Sequence, residues 1–271
     1  MSRFPVDGPI WLVGAGNMGG AMLRRWLDCG LDPARVTIIR KSGAPFADGV
    51  TVLTAPPADG PVPALVMLGV KPQMIDDVAP WLAPVLAPET LLVSILAGVE
   101  IAALRRRFEA PRAILRAMPN TPVALGQGVT GLAAEGLDQP GRESASALMG
   151  LLGLVEWTDE ASLDIVAALA GSGPAFLFRF IDALAHAGAE AGLPADQAAR
   201  MALATVAGAA SLAAGSDDTP RRLAEHVTSK GGSTRRGLDV LDADDRLLAL
   251  MRDTLTAAIL RNREMAAEAR A

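Results

Sequence analysis

Short apolar runs alternate with longer stretches whose apolar residues recur every three or four positions, and this pattern sets the elements expected in the first half of the chain. The runs 10–13, 36–39, 50–53, 65–68, 91–95 and 113–115 read as strands, and helices are expected from the end of the first run to near Cys29, over 74–82 and over 100–108. Strands alternating with helices imply βαβ units around a mostly parallel, doubly wound sheet. Pro56, Pro57, Pro61 and Pro63 mark a loop within it. From about Asp159 the pattern turns to helices alone. Phe176, Phe180, Leu184 and Ala187 follow Pro174 at helical spacing, and Gly192-Leu193-Pro194 stops that run. Residues 195–214 form a second helix with small residues on every side, expected to pack closely against others and not to face water, and Leu248, Met251, Leu255, Ala258, Asn262 and Met265 define a long terminal one. The expected boundaries are therefore 1–158 for the α/β domain and 159–271 for an all-α domain. Helices so slender and apolar complete their core against another subunit, so a homodimer at least is expected.

The first strand runs straight into Gly14-Ala15-Gly16-Asn17-Met18-Gly19, a G-x-G-x-x-G turn opening a helix. Gly14 permits a tight turn, Gly16 a close approach to a pyrophosphate, and Gly19 close packing of helix on strand. The helix N-terminus then offers N–H groups and a positive dipole end to phosphates. A glycine turn with no ligand is the alternative, and the strand before and helix after it favour a Rossmann-type dinucleotide site. The end of the second strand, where an acidic residue would select NAD, carries Arg40-Lys41-Ser42 instead. Two cations and a hydroxyl suit the 2′-phosphate of NADPH, with NADH as the other possible cofactor. The alternative is a solvated surface turn.

Composition narrows the partners. A net charge of −5 excludes broad nucleic-acid or anionic-membrane binding, which needs a basic surface. Segments 117–134 and 201–216 are broken by Pro or rich in Ala and Gly, so no membrane anchor is expected. Cys29 stands alone and Met1-Ser2-Arg3-Phe4-Pro5 leads into no signal core, which fits the cytoplasm. No metal site is expected. Only three of the 25 basic residues are lysine, and Lys41, Lys71 and Lys230 each fall in a loop assigned to a ligand on other grounds.

Two further loops follow strands on the edge where doubly wound sheets bind ligands. Ala97-Gly98 and Met118-Pro119-Asn120-Thr121-Pro122 should face the nicotinamide. Asn120, stiffened by flanking prolines, either orients cofactor or substrate through a free amide or is simply the hydrogen-bonding residue of a turn. In the helical half, Ser229-Lys230-Gly231-Gly232-Ser233-Thr234 opens a short helix. Its N–H groups around Gly232 to Thr234 can converge on a carboxylate. The alternative is an ordinary helix cap by Ser233 or Thr234.

These blocks, with Val70-Lys71-Pro72, Ser94-Ile95-Leu96-Ala97-Gly98-Val99, Arg116-Ala117-Met118-Pro119-Asn120-Thr121-Pro122 and Gly171-Ser172-Gly173-Pro174-Ala175-Phe176, stand in the order and spacing of pyrroline-5-carboxylate reductases. The chain resembles that family over roughly residues 10 to 265. The resemblance implies hydride transfer from NAD(P)H to C5 of 1-pyrroline-5-carboxylate, giving L-proline as the last step of proline biosynthesis. It implies that Ser229, Gly231, Gly232, Ser233 and Thr234 hold the substrate, with the Thr234 hydroxyl on the ring nitrogen as the catalytic group, and that Glu160 lies near bound proline. It places the cofactor on Gly14, Ala15, Gly16, Asn17 and Met18, on Arg40, Lys41 and Ser42, on Val70, Lys71 and Pro72, and on Ala97. It also implies subunits interlocked through the helical dimerisation domain, with dimers assembling further, as far as a decamer.

Departures from the family pattern are Lys230 where proline is usual and Phe176 where tyrosine is common; Asp217 aligns loosely with an acid of some relatives. The Lys230 ammonium could reach the substrate carboxylate itself. His226, near these loops, is expected to contact cofactor rather than relay protons. The imine is already electrophilic, so catalysis is mainly a matter of holding nicotinamide C4 near ring C5. Three rivals stay open: a 3-hydroxy-acid dehydrogenase, disfavoured because 174–192 holds Arg179 but no lysine; a six-membered cyclic imine as substrate; and a catalytically silent NADP-binding regulator.

Overall fold

The computed structural model describes residues 4–57 and 60–270; the leader residues 1–3 considered above lie outside them. Strands β1 (Ile10–Val13), β2 (Val36–Ile39), β3 (Thr51–Leu53), β4 (Leu65–Leu68), β5 (Leu91–Ser94), β6 (Ala113–Pro119), β7 (Gly128–Glu135) and β8 (Gly153–Trp157) form one sheet in the order β3-β2-β1-β4-β5-β6-β7-β8. All pairs are parallel except β6 with β7. Helices α1 (Asn17–Asp28), α2 (Ile75–Leu82), α3 (Ile101–Arg107) and α4 (Gln139–Gly150) cover it.

The two faces follow from the alternation of side chains along each strand. Ile10, Leu12, Leu65 and Met67 point to one side and pack with Met22, Leu23 and Trp26 of α1 and Leu148 and Met149 of α4. Trp11, Val13, Val66 and Leu68 point to the other and pack with Ile75, Val78 and Leu82 of α2 and Leu104 of α3. Both faces are covered, so β1 and β4 are apolar at every position, and each large side chain so buried contributes about 1.5–3 kcal/mol. On the second face Arg107 Nε donates to Asp76 Oδ1 at 2.6 Å. That hydrogen bond holds the Asp76 carboxyl below the usual carboxylate range.

The chain runs outward from β1 to β3 and then returns to start β4 on the other side of β1. The switch point between β1 and β4 opens a crevice at the carboxyl ends of the strands, the place where such sheets bind ligands. The pair β7–β8 and α4 were not foreseen. By compactness the first unit runs through Ser172 and also takes in the chain from Ala258. Leu163, on α5 (Leu163–Val166), is buried with Met118 and Ala133, and Gly131 leaves room for Val166, whose Cγ1 would stand 2.5 Å from a Cβ there.

The second unit, Gly173–Ala257, holds α6 (Gly173–Glu190), α7 (Ala195–Ala214), α8 (Pro220–His226), α9 (Ser233–Asp242) and most of α10 (Arg246–Arg270). Gly188 of α6 admits Ala198 of α7, which a Cβ would meet at 3.4 Å. Within the single chain α7 buries only Ala198 and Ala202. Phe178, Met201, Leu203 and Leu212 are more than half exposed. The helical stretch Glu160–Glu190 is long and apolar enough to cross a membrane by length and composition, which the sequence reading had not anticipated. A single such stretch is a weak sign of a membrane, and a π turn at Ala167–Gly171 interrupts it.

Candidate active site

Strand β1 delivers the chain to Gly14 at φ +83°, a left-handed conformation that glycine adopts without strain. Gly14 N donates to Ile39 O at 2.9 Å and Gly69 N to Val13 O at 2.8 Å, so the end of β1 and its turn are laced to the ends of β2 and β4. At Gly16 a Cβ would meet nothing within 4 Å. Gly16 caps α1 without a side-chain hydrogen bond, and no acidic residue stands in the first turn. The free N–H groups and dipole of a twelve-residue helix therefore open onto empty space beside a bare backbone, which suits a pyrophosphate.

Beside that turn lies a cavity of about 520 Å³ lined by Gly14, Gly16, Arg40, Lys41, Val70 and Lys71. Thr54, Met74, Asp77 and Trp81 also line it and were missed by the sequence reading. Met74 and Trp81 look, in sequence, like part of the apolar stripe of a core helix. Trp81 instead offers an aromatic wall and Thr54 a hydroxyl. Two of the three lysines meet here, which the lysine usage anticipates. Arg40 lines the cavity while its Nη2 donates to Ala44 O and, at 2.9 Å, to Pro45 O. It braces the 40–45 loop, and Lys41 and Lys71 are the exposed cations of the cavity.

The loop after β5 leaves Ala97 exposed on the same carboxyl edge, with Gly98 buried beneath it at φ +75°. The loop after β6 is different. Asn120 is 6% exposed, its Oδ1 accepts from Val129 N at 2.8 Å, and its Nδ2 donates to Ala170 O at 3.0 Å. The expectation of a free amide is corrected: Asn120 pins β7 and the π turn to the end of β6. Glu160 is likewise engaged with the protein, its Oε1 accepting from Arg116 Nη1 at 2.9 Å and from Ile101 N at 2.6 Å. Arg116 was not singled out, although a charged residue inside an otherwise apolar strand was its signal.

In the second unit, Gly232 N donates to Ser229 O at 3.0 Å and Gly231 takes φ +76°, a β-turn of the type II kind with Lys230 at the position where proline is common. That geometry explains why lysine can replace proline without remaking the turn. A Cβ on Gly232 would stand 2.4 Å from Ser229 Oγ, so a side chain there would push the serine hydroxyl aside. Gly232, not Ser233 or Thr234, caps α9, and no side chain satisfies the cap. The alternative of a serine or threonine cap is thereby excluded. Bare amides, the exposed Ser233 and Thr234 hydroxyls and the helix dipole make an anion cradle. His226 ends α8 with Nδ1 3.4 Å from Asp218 Oδ2. Among the described residues no group of three or more His, Cys, Asp or Glu side chains could hold a metal ion.

The chain is 37% identical over 267 residues to the pyrroline-5-carboxylate reductase of Pseudomonas aeruginosa, covering 95% of this chain and 96% of that one. The chain belongs to the pyrroline-5-carboxylate reductase family. The family model for pyrroline-5-carboxylate reductase dimerisation matches residues 160–265, and one described as NADP oxidoreductase, coenzyme F420-dependent, matches residues 9–98. A reductase structure from Coxiella burnetii has a TM-score of 0.85 and 32% identity, covering 96% of this chain and 98% of that one. One from Plasmodium falciparum, solved with NADP bound, has a TM-score of 0.82 at 21% identity with coverage of 96% and 98%, a likeness of fold. The exposed apolar residues of α6 and α7 lie within the region matched by the dimerisation model, 160–265.

Proposed function

We propose that this chain reduces 1-pyrroline-5-carboxylate to L-proline with NADPH, accepting NADH less well. The observation that carries the reading is the uncapped N-terminus of α9 behind Gly231-Gly232, a cradle for a small carboxylate. Relatives matched over nearly their full length are named for this substrate. Residues 1–158 serve the nucleotide, and 159–271 the substrate and the subunit interface.

The Gly14–Met18 turn, free of side-chain bulk at Gly16, receives the pyrophosphate, and Trp81 and Thr54 flank the adenosine. Lys41 and Ser42 hold the 2′-phosphate with Lys71 across the cavity, Pro72 setting the turn that presents Lys71. Bound NADPH supplies the hydride that C5 of the ring accepts. Ala97 borders the nicotinamide, and His226 contacts the cofactor from the helical half. The amides of Gly232, Ser233 and Thr234 fix the substrate carboxylate, with Lys230 adding charge at the rim. The Thr234 hydroxyl orients the ring nitrogen, so that the imine carbon is held in attack geometry, the main source of rate for an already electrophilic group. The working form is a homodimer, with dimers joining up to a decamer, in the cytoplasm.

Adding 1-pyrroline-5-carboxylate to the protein and NADPH tests this: absorbance at 340 nm falls and proline forms. No oxidation with this imine, or faster oxidation with the six-membered imine, overturns the assignment. NADH in parallel reads the cofactor preference.

A further inference from the structure

The cofactor-facing loop between β5 and α3 is held at three points. At its start Ser94 Oγ accepts from Leu96 N at 3.3 Å. In its middle Gly98 lies so close to α10 that a Cβ would stand 3.1 Å from Ala266 N and 3.2 Å from Met265 C. At its end Ile101 N, at the start of α3, donates to Glu160 Oε1 at 2.6 Å. The same oxygen takes Arg116 Nη1, whose side chain is 3% exposed and whose Nε has no hydrogen-bond partner among the described residues. Arg116 enters from the middle of β6, in register with Ser94 of β5.

A buried guanidinium held by one carboxylate is costly to place and strongly oriented once placed. Here the carboxylate passes that orientation on, because its shared oxygen also fixes the first N–H of α3. With Gly98 blocked by α10 on the other side, the loop cannot drift without breaking a charge-assisted bond. We propose that Glu160 and Arg116 are a positioning pair for catalysis: they fix the edge carrying Ala97 against which the nicotinamide half of the cofactor lies. Glu160 thus acts through the loop and not by contact with the substrate. This rests on the cofactor assignment above.

The test compares wild type with Glu160→Gln and Glu160→Ala, using two ligands. NADPH spans the whole site, whereas 2′,5′-ADP has the adenosine and phosphate half but no nicotinamide. The expected result is that Glu160→Ala weakens NADPH and lowers kcat, each by about tenfold, with 2′,5′-ADP affinity unchanged. Glu160→Gln, which keeps an oxygen for Ile101 N but loses its charge, falls between. Loss of both ligands in parallel overturns the proposal in favour of a general structural role. A higher KM for the imine with NADPH affinity and kcat intact overturns it in favour of substrate contact. Should Glu160→Ala fail to fold, the Gln variant decides by the same ratio of the two affinities. Failure of the reductase reading shows separately, as wild-type protein that binds NADPH yet does not oxidise it with 1-pyrroline-5-carboxylate.

Discussion

Gly14 and Gly69 approach so closely that a Cβ on either would stand 2.9 Å from the other's carbonyl oxygen. The switch point of the sheet is thus closed by two bare backbones, whereas Gly16 two residues on faces open space. The two glycines of one motif therefore answer to different demands. Gly14→Ala, at φ +83° and in contact with Gly69, should lower stability by about 1–3 kcal/mol in urea unfolding. Gly16→Ala should cost no more than about 1 kcal/mol as a lost glycine cap, yet sharply weaken NADPH binding. Equal stability losses in the two would contradict the assignment of Gly16 to the ligand.

Much of this was legible beforehand, for identifiable reasons. Strands buried on both faces must be continuously apolar, so β1, β2, β4 and β5 stood out, and the glycine turn located the crevice. The strand β7, Gly-Val-Thr-Gly-Leu-Ala-Ala-Glu, was hidden because its small residues make room for Val123 and Val166 instead of forming an apolar run. Asn120 was placed in the right loop with the wrong duty, and the partners of Glu160 within the protein were not foreseen. A polar side chain's partners depend on segments distant in sequence: Val129 and Ala170 for one, Ile101 and Arg116 for the other. Arg40 similarly turned to its own loop. The glycine turn and the start of α9 at Gly232 were readable because they are local.

Asn120→Ala leaves the Val129 N–H and the Ala170 carbonyl without their partner, each worth about 1–3 kcal/mol if left unsatisfied. Urea unfolding should show a loss of that size, while NADPH affinity measured on the folded protein stays at the wild-type value. A variant of native stability that has lost cofactor would restore the free-amide reading.

Lys41→Ala and Lys71→Ala each remove an exposed ammonium from the cavity beside Gly14. A charged hydrogen bond to phosphate is worth about 1.5–3 kcal/mol, so the dissociation constant for NADPH should rise by roughly tenfold to a hundredfold, with NADH little changed. Titration calorimetry with both nucleotides checks it. Parallel losses for the two nucleotides would remove these lysines from recognition of the 2′-phosphate.

Thr234→Ala removes the hydroxyl at the second position of α9 without touching the cap. Turnover should fall by about one to three orders of magnitude, or about 1.4–4 kcal/mol of barrier, with NADPH affinity intact and partial recovery in Thr234→Ser. Steady-state kinetics with saturating cofactor decide it, and wild-type turnover in the alanine variant would take Thr234 out of the site.

The central claim, that a reduced nicotinamide passes hydride directly to an imine carbon held by the α9 cradle, is tested most directly by isotope transfer. NADPH deuterated at the transferred C4 position and 1-pyrroline-5-carboxylate are incubated with the protein, and the product is read by mass spectrometry and proton NMR. The account predicts L-proline carrying one deuterium, at C5. Unlabelled proline, or deuterium lost to solvent, would contradict it.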